Sequence, residues 1–137
     1  MRTSRLVLFI LLGVAGSTLF HCSDIGQQTL APVEQGNFHL FVQNMRLHID
    51  SVDIQVDIDG RRAVAQKFSW TFFPKQFEFQ IEEGTHTLRA ISSFIPQGVT
   101  VEFVRSATPY AAISFESYDD APPRFWISFF AESPGFQ

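Results

Sequence analysis

The stretch SVDIQVDIDG, residues 51–60, decides the fold. Val52, Ile54, Val56 and Ile58 fall on one parity; Asp53, Gln55, Asp57 and Asp59 fall on the other. Successive side chains of a strand point to opposite faces, so this pattern predicts a strand with one face buried and one wet. Asp59-Gly60 then predicts a tight hairpin, because Asp and Gly tolerate the positive φ that two-residue turns require.

The same grammar repeats outward. Residues 63–72 read as the return strand, with Val64, Phe68, Trp70 and Phe72 on one parity, stopped by Pro74, which has no N–H to donate. Phe77, Phe79 and Ile81 alternate with Glu78, Gln80 and Glu82, and Glu83-Gly84 turns the chain into residues 85–91. Pro96-Gln97-Gly98 reads as the next turn, into 99–104. Strands at 110–118 and 124–131 follow, separated by the acidic, proline-rich 119–123; upstream, residues 37–43 open the series. Short strands at this spacing, with no helical stripe of ten residues or more, predict an all-β fold. The expected form is a single antiparallel, immunoglobulin-like β-sandwich of about seven to eight strands. Phenylalanine is its main filler, 14 of the 16 lying beyond residue 21. Their large buried area compensates for the absence of disulfides in a small secreted domain.

Secretion is read from the N-terminus. Arg2 and Arg5 precede the apolar run LVLFILLGV at 6–14, and a small-residue stretch follows: together, a signal peptide. The apolar segment ends by Phe20, short of the roughly 20 residues that span a hydrocarbon core. Two cleavages compete. Leu19-Phe20-His21-Cys22 resembles a bacterial lipobox, with an apolar residue three before the cysteine, although Phe20 and His21 depart from the usual small residues. Ordinary cleavage after Gly16 or Ser17 is the other. The single cysteine of the chain cannot form an internal disulfide, and it stands where lipid attachment would need it. The expected organisation is a signal peptide at 1–21, a lipid-anchored flexible tether at 22–36 and a β-sandwich domain at 37–137. Each acyl CH₂ buried in the membrane contributes about 0.8 kcal/mol to such an anchor.

The formal charge is −4, or −6 once Arg2 and Arg5 leave with the signal. Acidity without a Lys/Arg cluster argues against nucleic acid and anionic head groups as partners.

Val56-Asp-Ile-Asp-Gly60, an apolar strand, then Gly84-Thr-His-Thr-Leu-Arg-Ala90 resemble the signature of PEGA-type and related immunoglobulin-like domains. The closing segments, YAAISFESY at 110–118 and FWISFFAESPGF at 125–136, are similar to those of uncharacterised small bacterial lipoproteins that pair a signal peptide and cysteine with one such domain. The resemblance implies the fold and a lipid anchor on Cys22, and no reaction.

Sites for chemistry are sparse. Asp50, Asp53, Asp57 and Asp59 suggest calcium, but Gln55 and Gln66 stand where a calcium loop needs its first ligand and its bidentate Glu. His39, His48 and His86 have no partner at metal-ligand spacing, so no metal and no cofactor are expected. Glu82/Glu83 and Asp119/Asp120 are neighbours, which in a strand point to opposite faces, and no nucleophile motif is present: no catalytic residues are expected. Aromatics are the functional opening. Phe125, Ile127 and Phe129 share one parity and Trp126 and Phe130 the other, so either the strand is buried on both sides or one set is exposed. Trp126, Tyr110 and Tyr118 are the candidate binding platform.

The sequence therefore reads as a non-catalytic, lipid-anchored cell-envelope module that mediates protein interaction or envelope support. It would be held to a bacterial outer membrane or the cell surface through its N-terminal lipid; the alternative is a soluble secreted or periplasmic chain. A carbohydrate-binding module using exposed aromatics, with a glycan as partner, is the competing function. Intact mass of the mature protein tests the anchor. An acylated chain beginning at Cys22 is expected; an unmodified chain beginning near Ser17 or Thr18 removes the lipoprotein reading.

Overall fold

A computed structural model describes residues 27–47 and 50–136. The signal segment, Cys22 and His48 lie outside the described residues. The chain folds as an all-β sandwich of eight strands: β1 (Phe38–Asn44), β2 (Ser51–Ile58), β3 (Arg61–Ser69), β4 (Lys75–Phe79), β5 (Thr85–Ser92), β6 (Ile95–Val104), β7 (Tyr110–Tyr118) and β8 (Ala121–Phe130). One sheet runs β3-β2-β5-β6 and the other β4-β1-β7-β8. The architecture is the two-sheet sandwich of immunoglobulin-like domains, with its own strand order. In the constant-type order the first and fourth strands share a sheet with the second and fifth, whereas here β1 and β4 join β7 and β8. All pairings between strands are antiparallel except β1 with β7, which is parallel.

The alternation of residues 51–58 does what it predicts: Val52, Ile54, Val56 and Ile58 are fully buried. Asp59 and Gly60 make the hairpin with φ of 49° and 74°. Opposite them lie Phe38, Leu40 and Val42 of β1 and Ala111, Ile113 and Phe115 of β7, also fully buried. Each large apolar side chain so removed from water contributes about 1.5–3 kcal/mol before entropy is counted. The two open sides of the sandwich are closed by rings. Phe68 meets Phe77 edge-on at 6.4 Å between β3 and β4, and Phe103 stacks on Phe129 at 5.0 Å between β6 and β8.

Local signals misplaced some boundaries. β3 ends at Ser69, not Phe72, because Trp70 leaves the sheet to bridge Asn44 of the other one. Pro96-Gln97-Gly98 is not the turn. Ser93-Phe94 turns instead, held by Asp53, whose carboxylate accepts from the Ser93 N–H at 2.9 Å and its hydroxyl at 2.5 Å. Pro96–Gly98 lies within β6 as an irregularity opposite Ile91, with Gly98 at φ 67°. β8 begins at Ala121, so Pro122 and Pro123 belong to an edge strand, where a missing N–H costs no ladder bond.

The stretch read as a flexible tether is bound to the domain from residue 27 onward. Thr29 bridges Arg62, the Leu30 N–H donates to Arg62 O at 2.9 Å, and Leu30 joins the core. Val33 then bonds Glu78 O, so residues 27–36 strap the edge of β3 to the edge of β4. The apolar pair Leu30 and Val33 within a polar segment is the signal that the tether reading overlooked. Gly36 is required where the strap enters: a Cβ there would stand 2.5 Å from Phe79 O.

Two asparagines complete the backbone bonding of β1. The Asn37 side chain donates to Ile81 O at 2.8 Å and accepts from the Ile81 N–H at 3.0 Å, in place of a strand partner. Asn44, fully buried, donates to Phe68 O at 3.1 Å and accepts from the Arg46 N–H at 2.9 Å. Asn44→Ala strands both groups, and the expected loss is about 2 kcal/mol. The urea midpoint should fall with an unchanged slope.

Candidate functional site

The register divides the sandwich into two unlike ends. One carries the β2–β3, β4–β5 and β6–β7 connections. Its residues are polar, including Asp59, Gly60, Glu82, Glu83 and Arg105, with Arg105 paired to Glu83. Asp59 organises it: its carboxylate accepts from His86 Nδ1 at 2.5 Å and from the Thr87 N–H at 2.9 Å, while His86 Nε2 donates to Glu82 O at 2.8 Å. With both ring nitrogens facing acceptors, the imidazolium fits the site. Burial opposes its charge, yet the bonds to Asp59 and Glu82 and their negative fields outweigh burial and raise the His86 pKa above the ordinary 6.5. For Asp59, burial raises the pKa, but His86, the Thr87 amide and Arg61 win, and it lies below 3.8.

The opposite end gathers the β1–β2, β3–β4, β5–β6 and β7–β8 connections and, beside the exposed Asp50, Asp119 and Asp120, concentrates exposed apolar side chains. Met45, Leu47, Phe72, Phe73, Phe94 and Tyr118 are six of the ten exposed large hydrophobics among the described residues. Phe72 is 74% exposed, Leu47 67% and Phe73 62%. The tips are linked. Met45, Leu47 and Tyr118 line one small cleft, the Arg46 guanidinium lies over Phe94 at 5.1 Å, and Phe72 meets Trp70 edge-on at 4.5 Å.

The sequence candidates are not brought together into one platform. Tyr110 pairs with Phe130 near the start of β7, Trp126 lies opposite Ser114, and Tyr118 lies opposite Ala121 at the far hairpin. Four residues separate Phe130 from Trp126 along β8 and five separate Trp126 from Ala121, about 13 and 16 Å of strand. Trp126 is half exposed, but Arg124 covers its ring at 4.6 Å and its indole N–H donates to Glu116 at 2.5 Å. β8 is an edge strand, not buried on both sides: Phe125 faces the core and Trp126 faces solvent.

Tyr110 belongs to a different feature. It stacks on His39 at 4.8 Å and 19°, and both form the floor of a groove of about 510 Å³ on the outer face of the β4-β1-β7-β8 sheet. Phe41 and Gln76 extend the floor, Phe73-Pro74 lines it from the β3–β4 connection, and residues 133–136 line it from the C-terminal segment. No local pattern announces this groove, because its parts come from four separate regions of sequence.

Three of the four carboxylates that suggested calcium are otherwise engaged. Asp53 holds Ser93, Asp59 holds His86, and Asp57 binds Arg62 Nε at 2.5 Å with Gln27 beside it. No group of three or more His, Cys, Asp or Glu suited to a metal occurs among the described residues. No helix among them is long and apolar enough to cross a membrane. No protein-family model, curated protein or solved structure matches the chain.

The pair has a pH signature with a defined sign. The raised His86 contributes stability that is complete below its unfolded value and is lost as pH rises through the folded value. The lowered Asp59 contributes stability above its unfolded value, lost as pH falls through the folded one. As pH rises from below 6.5 through the raised folded value of His86, the protein should therefore lose stability. His86→Gln should flatten that slope in urea titrations; an equally steep slope in the variant assigns the dependence elsewhere.

Proposed function

We propose that the protein is a non-catalytic, lipid-anchored module of the bacterial cell envelope that docks another envelope protein through the apolar end of its sandwich. The observation that carries this reading is the inequality of the two ends: six large exposed apolar side chains at one, charged and hydrogen-bonded turns at the other. Clustered exposed apolar surface marks interaction sites, whereas scattered single residues do not. Aromatic residues such as Phe and Tyr are also enriched at interfaces.

The direction of attachment supports it. Gln27 lies at the polar end, its amide bonded to Asp57 and its carbonyl accepting from Arg62 at 2.8 Å. Five residues separate it from Cys22 and reach at most about 18 Å. The eight residues of β2 put the ends of the sandwich about 26 Å apart. A lipid on Cys22 therefore keeps the polar end near the membrane and turns the apolar end outward, towards a partner. Glycan recognition draws its support from the groove around Tyr110 rather than from Trp126 and Tyr118.

Site-specific photocrosslinking in native cells tests the docking. A crosslinker at Phe72 or Leu47 should give one defined adduct, and one at Gly60 should give none. Phe72→Ser with Leu47→Ser should abolish the adduct formed from position 94 and leave the urea midpoint nearly unchanged, since both side chains are exposed. Equal adducts from Gly60 overturn the proposal.

A further inference from the structure

We infer that the groove on the outer face of the β4-β1-β7-β8 sheet is a binding site for a neutral sugar ring, with Tyr110 as its stacking surface and Gln76 and Ser133 as its polar contacts. This site borders the apolar end and shares Phe73 with it, but it rests on Tyr110 and Phe136, which lie outside that end.

Its lining selects the ligand class by elimination. The lining residues include no Lys, Arg, Asp or Glu. A phosphate or carboxylate would lose its hydration without gaining a permanent cation, the imidazole of His39 already lying between Gln76 and Glu78, and an ammonium group would find no carboxylate in the lining. Glu78, nearby on β4, is already occupied: it accepts from the Gly36 N–H at 3.0 Å and lies 3.7 Å from His39 Nδ1. His39 Nδ1 also faces the Gln76 amide at 3.3 Å. The ligand is therefore neutral.

It is not an extended peptide. Strand addition needs a free sheet edge, and the floor is the middle of a sheet: β1 lies between β4 and β7, with its backbone spent on both ladders. It is not an acyl chain either, because His39, Gln76, Ser133 and the Tyr110 hydroxyl interrupt the apolar lining. A pyranose combines a C–H face with a rim of hydroxyls. The groove offers the complement: ring faces from Tyr110, Phe73 and Phe136, and hydrogen-bonding groups between them. Tyr110 is held from the side by the stacked ring of His39 on the neighbouring strand, and Phe136 is steadied by Phe41 at 4.9 Å, so little ordering remains for a ligand to impose. The volume of about 510 Å³ lies within the range of small-molecule sites.

Maltotetraose and tetra-N-acetylchitotetraose, titrated into the full-length protein and followed by NMR and calorimetry, test the inference. At least one should bind with a Kd of about 1 mM or below. Tyr110→Leu and Phe136→Ala should each weaken it about tenfold, the loss of one aromatic contact. Phe136 sits in the C-terminal segment outside the strands, so its variant keeps the readout if Tyr110→Leu misfolds. Trp126→Ala should leave binding unchanged. Absence of binding by both sugars at about 10 mM overturns the inference. So does binding that survives both groove variants, or tighter binding of tetramethylammonium or a proline tetrapeptide than of either sugar.

Discussion

A strand placed in the middle of a sandwich must satisfy every backbone N–H and C=O along its length and also at its two ends, where its neighbours stop. β1 is one of four strands here that have a neighbour on each side. It is wedged between β4 and β7, antiparallel to one and parallel to the other, with Phe38, Leu40 and Val42 wholly out of water. Asn37 and Asn44 resolve it by acting as substitute backbone, each offering an amide donor and carbonyl acceptor to a main chain that has no strand partner left. Asn44 also ties the two sheets together, since Phe68 belongs to β3. The strap, the outer-face groove and the arrangement of both ends follow from where β1 is held.

The polar end shows a second use of side chains in place of ladder bonds. Two segments, Ile58-Asp59-Gly60 and Gly84-Thr-His-Thr87, are 24 or more residues apart in the chain and touch in space. Asp59 turns β2 into β3 with positive φ and simultaneously binds the ring of His86 and the amide of Thr87. A turn residue and a strand residue thus become one ionic, hydrogen-bonded unit, stronger than a neutral contact. Among the described residues, the exposed tips of the opposite end have no comparable unit. There Asn44 and Asp53 with Ser93 bond internally, while the rings of Phe72, Phe73 and Phe94 are left to solvent.

Much of this was legible residue by residue. Strict alternation in 51–58 and the Asp-Gly turn identified a half-buried hairpin, and the repeated pattern gave the class of fold and the approximate position of all eight strands. Boundaries failed where a side chain from a distant strand intervened. Asp53 draws the β5–β6 turn to Ser93-Phe94, and Asn44 draws Trp70 out of β3. The proposed aromatic platform had one member, Tyr110, in the groove; the others are spaced along the β7–β8 hairpin by register, which aromatic content does not reveal.

What the amino-acid sequence determined is local: which residues alternate, which turns tolerate positive φ, which rings must leave water, and that no catalytic or metal-ligand motif is written in short range. Pairing was decided only by the tertiary structure. It set β1 beside β7, bound the strap to β3 and β4, joined Asp59 to His86, and brought Phe73, His39, Tyr110 and Phe136 to one groove. The reason is physical. Periodicity specifies the face a side chain turns to the core, but not which strand lies next to it; that is settled by the joint packing of two sheets and the satisfaction of every buried backbone group.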